Sequence, residues 1–89
     1  MPYPIIYRDL ANHIGRLPLG SNVADLTAHL QRYHANDADL WEGIVVNLAF
    51  DVPAGLPMEV GVNRLCEALR TLNPRFDSGL FWEWITEAL

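Results

Sequence analysis

Near the C-terminus, the sequence ends one helix and starts another within a few residues. Asn73 can adopt the left-handed conformation that ends helices, and Pro74 cannot continue one. Asp77 is a strong N-cap for the helix that follows. Phe76 before this cap and Phe81 after it have the spacing of a hydrophobic staple, which sets the angle at which the chain enters the helix. The segment therefore predicts two helices joined by a tight corner, and it favours an all-α fold.

Length and composition indicate a single small helical domain comprising residues 1–89. A chain of this length can just bury a core without disulfides or metals, and its hydrophobic fraction of 51% argues against disorder. The only cysteine, Cys66, can form no internal disulfide and no zinc site built on cysteine pairs. No apolar run has the length of a membrane span, and residues 1–4 do not begin a signal peptide. We therefore expect a cytoplasmic protein without a membrane partner.

Apolar residues at three- and four-residue spacing predict two helices in the first part of the chain. Pro4 opens the first helix, and Pro18 and Gly20 close it. Either Ser21 or Asn22 caps the second. The residues on the apolar sides of these helices are Ile6, Leu10, His13, Ile14, Leu17, Val23, Leu26, Leu30 and Tyr33.

A third helix is predicted over residues 38–50, and it is apolar on nearly every side. Val46 and Phe50 lie opposite the main stripe, and a helix of this kind is expected at the buried centre of a bundle. The β-branched run at 44–46 is the one place where a strand competes, but the length and periodicity of the segment favour a helix. The residues of the main stripe are Leu40, Trp41, Ile44, Val45 and Leu48.

Two further helices complete the prediction. A loop at 51–57 leads into the fourth helix, where Pro57 suits the first turn, and the fifth helix runs from Ser78 onward. Their inward residues are Val62, Leu65, Cys66, Leu69, Leu72, Leu80, Phe81, Trp84, Ile85 and Ala88. We therefore expect a compact all-α bundle of about five short helices, stabilised by tertiary packing because such helices are marginal alone.

The residues that could carry metal or nucleophilic chemistry are few. His29 and His34 are not at the i, i+4 spacing that aligns two ligands on a helix, and His34 falls on the apolar side of the second helix, where a partly buried imidazole is ordinary. A nucleophilic pair of Cys66 with one of the three histidines, His13, His29 or His34, stays open, since the partners need only meet in space. Cys66, however, occupies an apolar helical position typical of an inert core thiol. We expect no enzyme activity, no metal and no cofactor.

The acidic cluster at the start of the third helix has a structural explanation. Asn36, Asp37 or Asp39 can cap the helix, and Asp39 and Glu42 have the spacing of a capping box. Carboxylates there also interact favourably with the positive end of the helix dipole. The sequence contains no phosphate-binding glycine loop, no nucleophile elbow and no metalloprotease motif.

The charge of the chain argues against direct binding of nucleic acid. Eleven acidic residues face six basic ones, all of them arginines spread along the chain, for a net charge of −5. Such a surface repels phosphates. The second and third helices could form a helix-turn-helix, but the recognition segment at 39–46 contains no Arg, Lys or Gln to contact bases or phosphates.

Two tryptophans of the last helix cannot share one face. Trp82 and Trp84 are two residues apart and therefore point about 160° apart on a helix. Trp84 follows the core stripe, which leaves Trp82 on the flank near Leu89. Trp82 is then either an exposed anchor for a partner or a cover for the edge of the core.

The segment from Asn73 to Asp77, followed by Phe81, resembles the C-terminal part of many small helical proteins encoded by phages and prophages. The usual form is Asn-Pro-Arg-Phe-Asp, a short basic spacer, then Phe and a terminal helical turn. Residues 65–69 are similar to the helix that leads into this box. The chain departs from the pattern at Ser78 and Gly79, which replace the basic spacer.

This resemblance implies an origin in a phage or another mobile element. Small acidic proteins of that kind commonly occupy a surface of a host protein, and the size and charge of this chain fit an anti-CRISPR protein in particular. The expected partner is a host protein or ribonucleoprotein complex of the bacterial cell, whose nucleic-acid-binding surface would attract carboxylates. The candidate partner-binding residues are Asp37, Asp39, Glu42, Trp82, Glu83 and Glu87. The alternatives are a small helical DNA-binding regulator and a self-assembling phage component that forms a homodimer through Trp82.

Overall fold

A computed structural model describes residues 6–18 and 20–88 of the chain, and within them it contains five α-helices and no strand. The all-α prediction is confirmed, including at residues 44–46, which are helical. Pro4, predicted to open the first helix, lies outside the described residues. The helices are α1 (Tyr7–Gly15), α2 (Val23–Leu30), α3 (Ala38–Asp51), α4 (Met58–Leu72) and α5 (Ser78–Glu87).

The structure selects one cap from each set of candidates in the first half of the chain. Asn22 caps α2: its side-chain Oδ1 accepts from the Asp25 N–H at 2.9 Å, and its own N–H donates to the Asp25 carboxylate at 3.1 Å. Asp37 caps α3 by accepting from the Leu40 N–H at 3.0 Å. Asp39 therefore lies within the first turn of α3, where it can still interact with the helix dipole.

The corner before α5 contains the predicted cap and staple. The Asp77 carboxylate accepts from the Leu80 N–H at 3.1 Å. The rings of Phe76 and Phe81 meet edge to face, with centroids 5.3 Å apart, and both side chains are buried. Local sequence was therefore sufficient to place the start of this helix.

The prediction for Asn73 at the same corner is wrong. Asn73 has φ −135° and ψ 99°, an extended conformation instead of a left-handed one. Its buried side chain accepts from the N–H of Arg75 at 3.1 Å, which forms a local turn. Because a residue before a proline is sterically biased toward extended conformations, Pro74 accounts for this outcome.

The bundle is built around α2, not around α3 as the sequence predicts. Helix α2 contacts α1, α3 and α4, while α1 packs along α5. None of the side chains with 0% exposure belongs to α3; they are Leu10, Ala11, Ile14, Leu26, Leu30, Val62, Leu65, Leu69 and Phe81.

Helix α3 covers one side of the bundle. Trp41, Val45 and Leu48 are buried against the core, but Leu40 and Ile44, which the pattern placed inside, are only half-buried. α3 packs on α2 and α4, and no described helix packs on its outer side. Its second apolar face consequently remains exposed.

Three smaller corrections concern the ends of helices. Ile6 is 59% exposed and immediately precedes α1. α2 ends at Leu30, so His34 lies beyond it and is exposed, although Tyr33 is buried as expected. Leu80 is 40% exposed because it lies in the first turn of α5, beside the solvent-facing corner.

Helices α1 and α5 approach each other closely at a glycine. A Cβ on Gly15 would stand 2.6 Å from the Cβ of Ala88 and 2.7 Å from the carbonyl oxygen of Ile85. Both distances are shorter than van der Waals contact. The tight α1–α5 pair therefore depends on the missing side chain at Gly15.

Candidate functional site

The outer side of α3 carries the most exposed apolar side chains of the helix. Phe50 is 90% exposed and Val46 is 55% exposed. They are four residues apart, so they lie on the same side of the helix. The sequence correctly placed them opposite the core stripe, but the expectation that this side is buried is wrong. A large exposed aromatic beside a second apolar residue is typical of an interaction surface.

The first turns of α3 are acidic. Asp37, Asp39 and Glu42 are all exposed, as expected for partner-binding candidates. Asp37 is engaged as the N-cap, whereas Asp39 and Glu42 make no side-chain hydrogen bond or ion pair with any residue in the described ranges. The helix contains no Arg, Lys or His. We define the α3 face as Asp39, Glu42, Val46 and Phe50.

A groove adjoins this face on the side of α2. It has a volume of about 370 Å³ and lies between the end of α2 and the first half of α3. The indole N–H of Trp41 donates to the Leu30 carbonyl at 3.0 Å, so this polar atom is already satisfied. Val46 lines the groove and also belongs to the α3 face, which makes the two features continuous. The groove is lined among others by Tyr33, His34, Trp41, Glu42, Val45 and Val46.

The remaining candidates lie on α5. Glu83 is exposed, and Glu87 is exposed with its carboxylate 3.9 Å from the Arg8 guanidinium. Trp82 is half-buried against the core, and its indole N–H donates to the Asn63 side-chain oxygen at 3.2 Å. This position agrees with the second interpretation of Trp82, in which the side chain covers the edge of the core.

The six candidates thus form two groups. Asp37, Asp39 and Glu42 belong to the start of α3, which packs on α2 and α4, whereas Trp82, Glu83 and Glu87 belong to α5, which packs mainly on α1. Only the α3 group adjoins both an exposed apolar pair and a groove. The signal that could have identified this site is the second apolar face of α3, although its apolar character also predicts burial in the core.

The histidines meet in a way that sequence could not indicate. The rings of His13 and His29 stack with centroids 4.0 Å apart, while His34 is exposed and takes no part in the stack. Within residues 6–18 and 20–88, no three His, Cys, Asp or Glu side chains are arranged to share a metal ion. The stacked pair links α1 to α2 and does not converge with a third ligand.

Two arginines that are distant in sequence also come together. Arg16 and Arg32 line one cavity of about 250 Å³ with His13, His34 and Asp9. Neither guanidinium forms an ion pair within the described part of the chain. The Asp9 carboxylate and the negative ends of α1 and α2 partly cancel this positive charge.

Cys66 is not paired with a histidine. Burial, with a smaller contribution from the charge of Glu67, raises the pKa of its thiol to about 11. Besides Cys66 and Glu67, the adjacent cavity of about 240 Å³ is lined by Asn63, Arg70, Ser78 and Trp82, and by no histidine. A thiol with this pKa is protonated at neutral pH and is a poor nucleophile.

No protein-family model, characterised protein or solved structure significantly matches this chain. Among the described residues, no helix combines the length and the apolar character required to cross a membrane. The chemistry of the surface is therefore the basis for assigning a function, and the α3 face with its groove is the candidate site.

Proposed function

We propose that this chain is a protein-binding inhibitor that occupies a basic surface of a host protein or ribonucleoprotein complex. The observation that carries the proposal is the α3 face, where Phe50 is 90% exposed on a helix that also displays the exposed carboxylates of Asp39 and Glu42, which have no ion-pair partner among the described residues. Aromatic anchors beside charged rims are characteristic of binding sites between proteins.

The charge of the chain supports a basic partner. The net charge is −5, and α3 contributes acidic residues only. Surfaces that bind nucleic acid concentrate Arg and Lys, so they also attract a carboxylate-rich protein, and salt weakens this attraction. Occupation of such a surface would exclude the nucleic acid.

The likeness of the C-terminal box to phage and prophage proteins supports an origin in a mobile element, and an anti-CRISPR activity is one specific form of the proposal. The box itself packs and caps the helix corner: Phe76 is buried against Phe81, and Asp77 caps α5. Its residues accordingly contribute to the fold, and we assign recognition to α3.

The exposed Phe50 also favours a second candidate, a self-assembling component. Two copies joined through α3 would bury this ring, but they would bring only acidic side chains together, since α3 has no basic residue. A basic partner satisfies both the apolar and the charged part of the face. Sedimentation of the purified chain distinguishes the two, because a monomer at micromolar concentration excludes stable self-assembly.

The test is capture of the partner from a bacterial lysate with the tagged chain, followed by a nucleic-acid binding assay on the captured factor. We expect the chain to displace nucleic acid from that factor, and added nucleic acid to release the chain. Reversing Asp39 and Glu42 to Lys should slow association at low salt, while the matched reversal of Glu83 and Glu87 on α5 should have less effect. If the factor binds nucleic acid equally well with the chain attached, the inhibitor function is wrong.

A further inference from the structure

We infer that the α3 face receives an amphipathic helix of the partner, which lies antiparallel to α3 with apolar residues on Val46 and Phe50 and with Arg or Lys opposite Glu42 and Asp39. The inference rests on the proposed function in one respect, namely that the ligand is a protein. It adds the class of element that binds, its direction and its residue spacing.

The spacing of the partner's contact residues follows from the geometry of α3. Glu42 and Phe50 are two turns apart, about 12 Å along the axis at 1.5 Å per residue. In an antiparallel partner helix, residues i and i+4 would face Phe50 and Val46, and residues i+8 and i+11 would face Glu42 and Asp39. The partner segment therefore carries an apolar pair at i, i+4 and a basic pair at i+8, i+11.

The antiparallel direction of the partner helix follows from the distribution of charge. Basic residues are favourable in the last turns of a helix, where the dipole is negative, and the acidic residues Asp39 and Glu42 lie in the first turns of α3, where it is positive. An antiparallel pair places each charged set at the end where its own helix favours it. It also brings the opposite ends of the two dipoles together.

The groove supplies a pocket for one side chain. Its volume of about 370 Å³ is at the low end for sites that hold drug-sized ligands, which favours a single large apolar side chain. Trp41 and Val45 provide an apolar wall, because the indole N–H is occupied by the Leu30 carbonyl. Since Val46 belongs to both features, an apolar residue that contacts Val46 reaches the groove without leaving the α3 face.

A second copy of this chain fits the site less well. On the described residues of α3 there is no cation to oppose Asp39 or Glu42. An antiparallel pairing of two α3 helices that sets Phe50 of each against Val46 of the other would place Glu42 and Asp39 opposite Ala54 and Pro57, which carry no charge. The carboxylates of Asp39 and Glu42 would therefore find no cation in such an interface.

The test uses a synthetic helical peptide with Leu at i and i+4 and Arg at i+8 and i+11, titrated into the isotope-labelled chain. We expect chemical-shift changes confined to α3 and the groove, and a Kd that rises with salt. Phe50→Ser should raise the Kd at least about tenfold, as loss of an anchor side chain does. The double change Asp39→Asn with Glu42→Gln should weaken binding at low salt and remove most of the salt dependence.

Matched controls keep the result specific. Leu80→Ser removes a different exposed apolar side chain on α5, and Glu59→Gln removes an exposed carboxylate on α4; both should leave the Kd within about twofold. A peptide with Glu in place of Arg should bind at least about tenfold more weakly. Circular dichroism of each variant verifies that the bundle is intact.

Three results would overturn the inference. These are no binding of the Arg peptide, binding that Phe50→Ser does not change, and a dimer of the chain that Phe50→Ser dissolves. Failure of this inference can be distinguished from failure of the proposed inhibitor function. Capture of the host factor by the Phe50→Ser chain would leave the inhibitor function standing with α3 wrongly assigned, whereas peptide binding by a chain that inhibits no factor would leave the site standing alone.

Discussion

The imidazoles of His13 and His29 form a reciprocal pair across the ends of α1 and α2. Each Nε2 donates to the main-chain carbonyl of the other residue, at 3.0 Å from His13 and 2.6 Å from His29, and the rings stack with an interplanar angle of 18°. Because a carbonyl only accepts, both rings carry a proton on Nε2. The pair therefore joins two helices through two hydrogen bonds and one ring contact.

Replacing His29 by Phe should lower the free energy of unfolding by about 1–2 kcal/mol. The aromatic stack is retained, but the Phe side chain donates no hydrogen bond to the half-buried His13 carbonyl. Urea unfolding measures the change. His34→Phe is the control, since His34 is exposed and outside the pair, and it should alter stability by less than about 0.5 kcal/mol. Equal effects of the two changes would show that the pair contributes nothing particular to the fold.

Gly15→Ala should destabilise the bundle by about 1–3 kcal/mol. The added methyl would stand 2.6 Å from the Ala88 Cβ, so α5 must move away from α1. Gly43→Ala in α3 is the matched change, because no described atom outside its chain neighbours and the adjacent helix backbone lies within 4 Å of its Cβ position. There the better helix propensity of Ala should stabilise the chain by up to about 1 kcal/mol. Thermal unfolding of the two variants should therefore shift in opposite directions.

The thiol of Cys66 should be unreactive in the folded chain near pH 8. Its pKa is raised to about 11 by burial, with the Glu67 charge as a smaller cause, so little thiolate is present. A disulfide reagent monitored by absorbance should label the native chain far more slowly than the chain in denaturant. Rapid labelling of the native state would contradict the burial of this side chain.

The same pKa shift predicts a loss of stability at alkaline pH. The folded chain holds the thiol proton up to about pH 11, whereas the unfolded chain releases it near 9, so the stabilising contribution is complete below pH 9 and is lost as the pH rises toward 11. Cys66→Ala removes this contribution. The difference in urea midpoint between the native sequence and this variant should narrow between pH 9 and 11. A constant difference would show that folding does not raise the pKa of the Cys66 thiol.

Asp77→Ala should destabilise the chain by about 1 kcal/mol, because the Leu80 N–H loses its acceptor at the start of α5. Asp77→Ser, which can also cap, should recover most of that loss. Neither change should alter partner affinity, since the Asp77 side chain is engaged in capping α5 and no residue of the box belongs to the α3 face. A fall in affinity without a fall in stability would place Asp77 in the binding site.

Local interactions determined which segments are helical and where several of them begin. The helix caps are local: the side chains of Asn22, Asp37 and Asp77 each accept from the backbone N–H three residues later. The Phe76–Phe81 staple is equally local. Such contacts depend on spacing along the chain, which the sequence displays directly. The apolar stripes of α2 and α4 were predicted for the same reason.

Tertiary packing decided which apolar faces are buried and which helices meet, because the apolar stripes alone leave both ambiguous. An apolar residue such as Phe50 has the same helical phase whether a neighbouring helix covers it or solvent does, so its exposure depends on α2 taking the central place. The His13–His29 stack and the contact of Gly15 with Ala88 join residues far apart in sequence. No local pattern encodes the distance between two helices. The candidate site on α3 thus arises because five short helices leave one apolar face uncovered within the described residues, a property of their arrangement and not of any single segment.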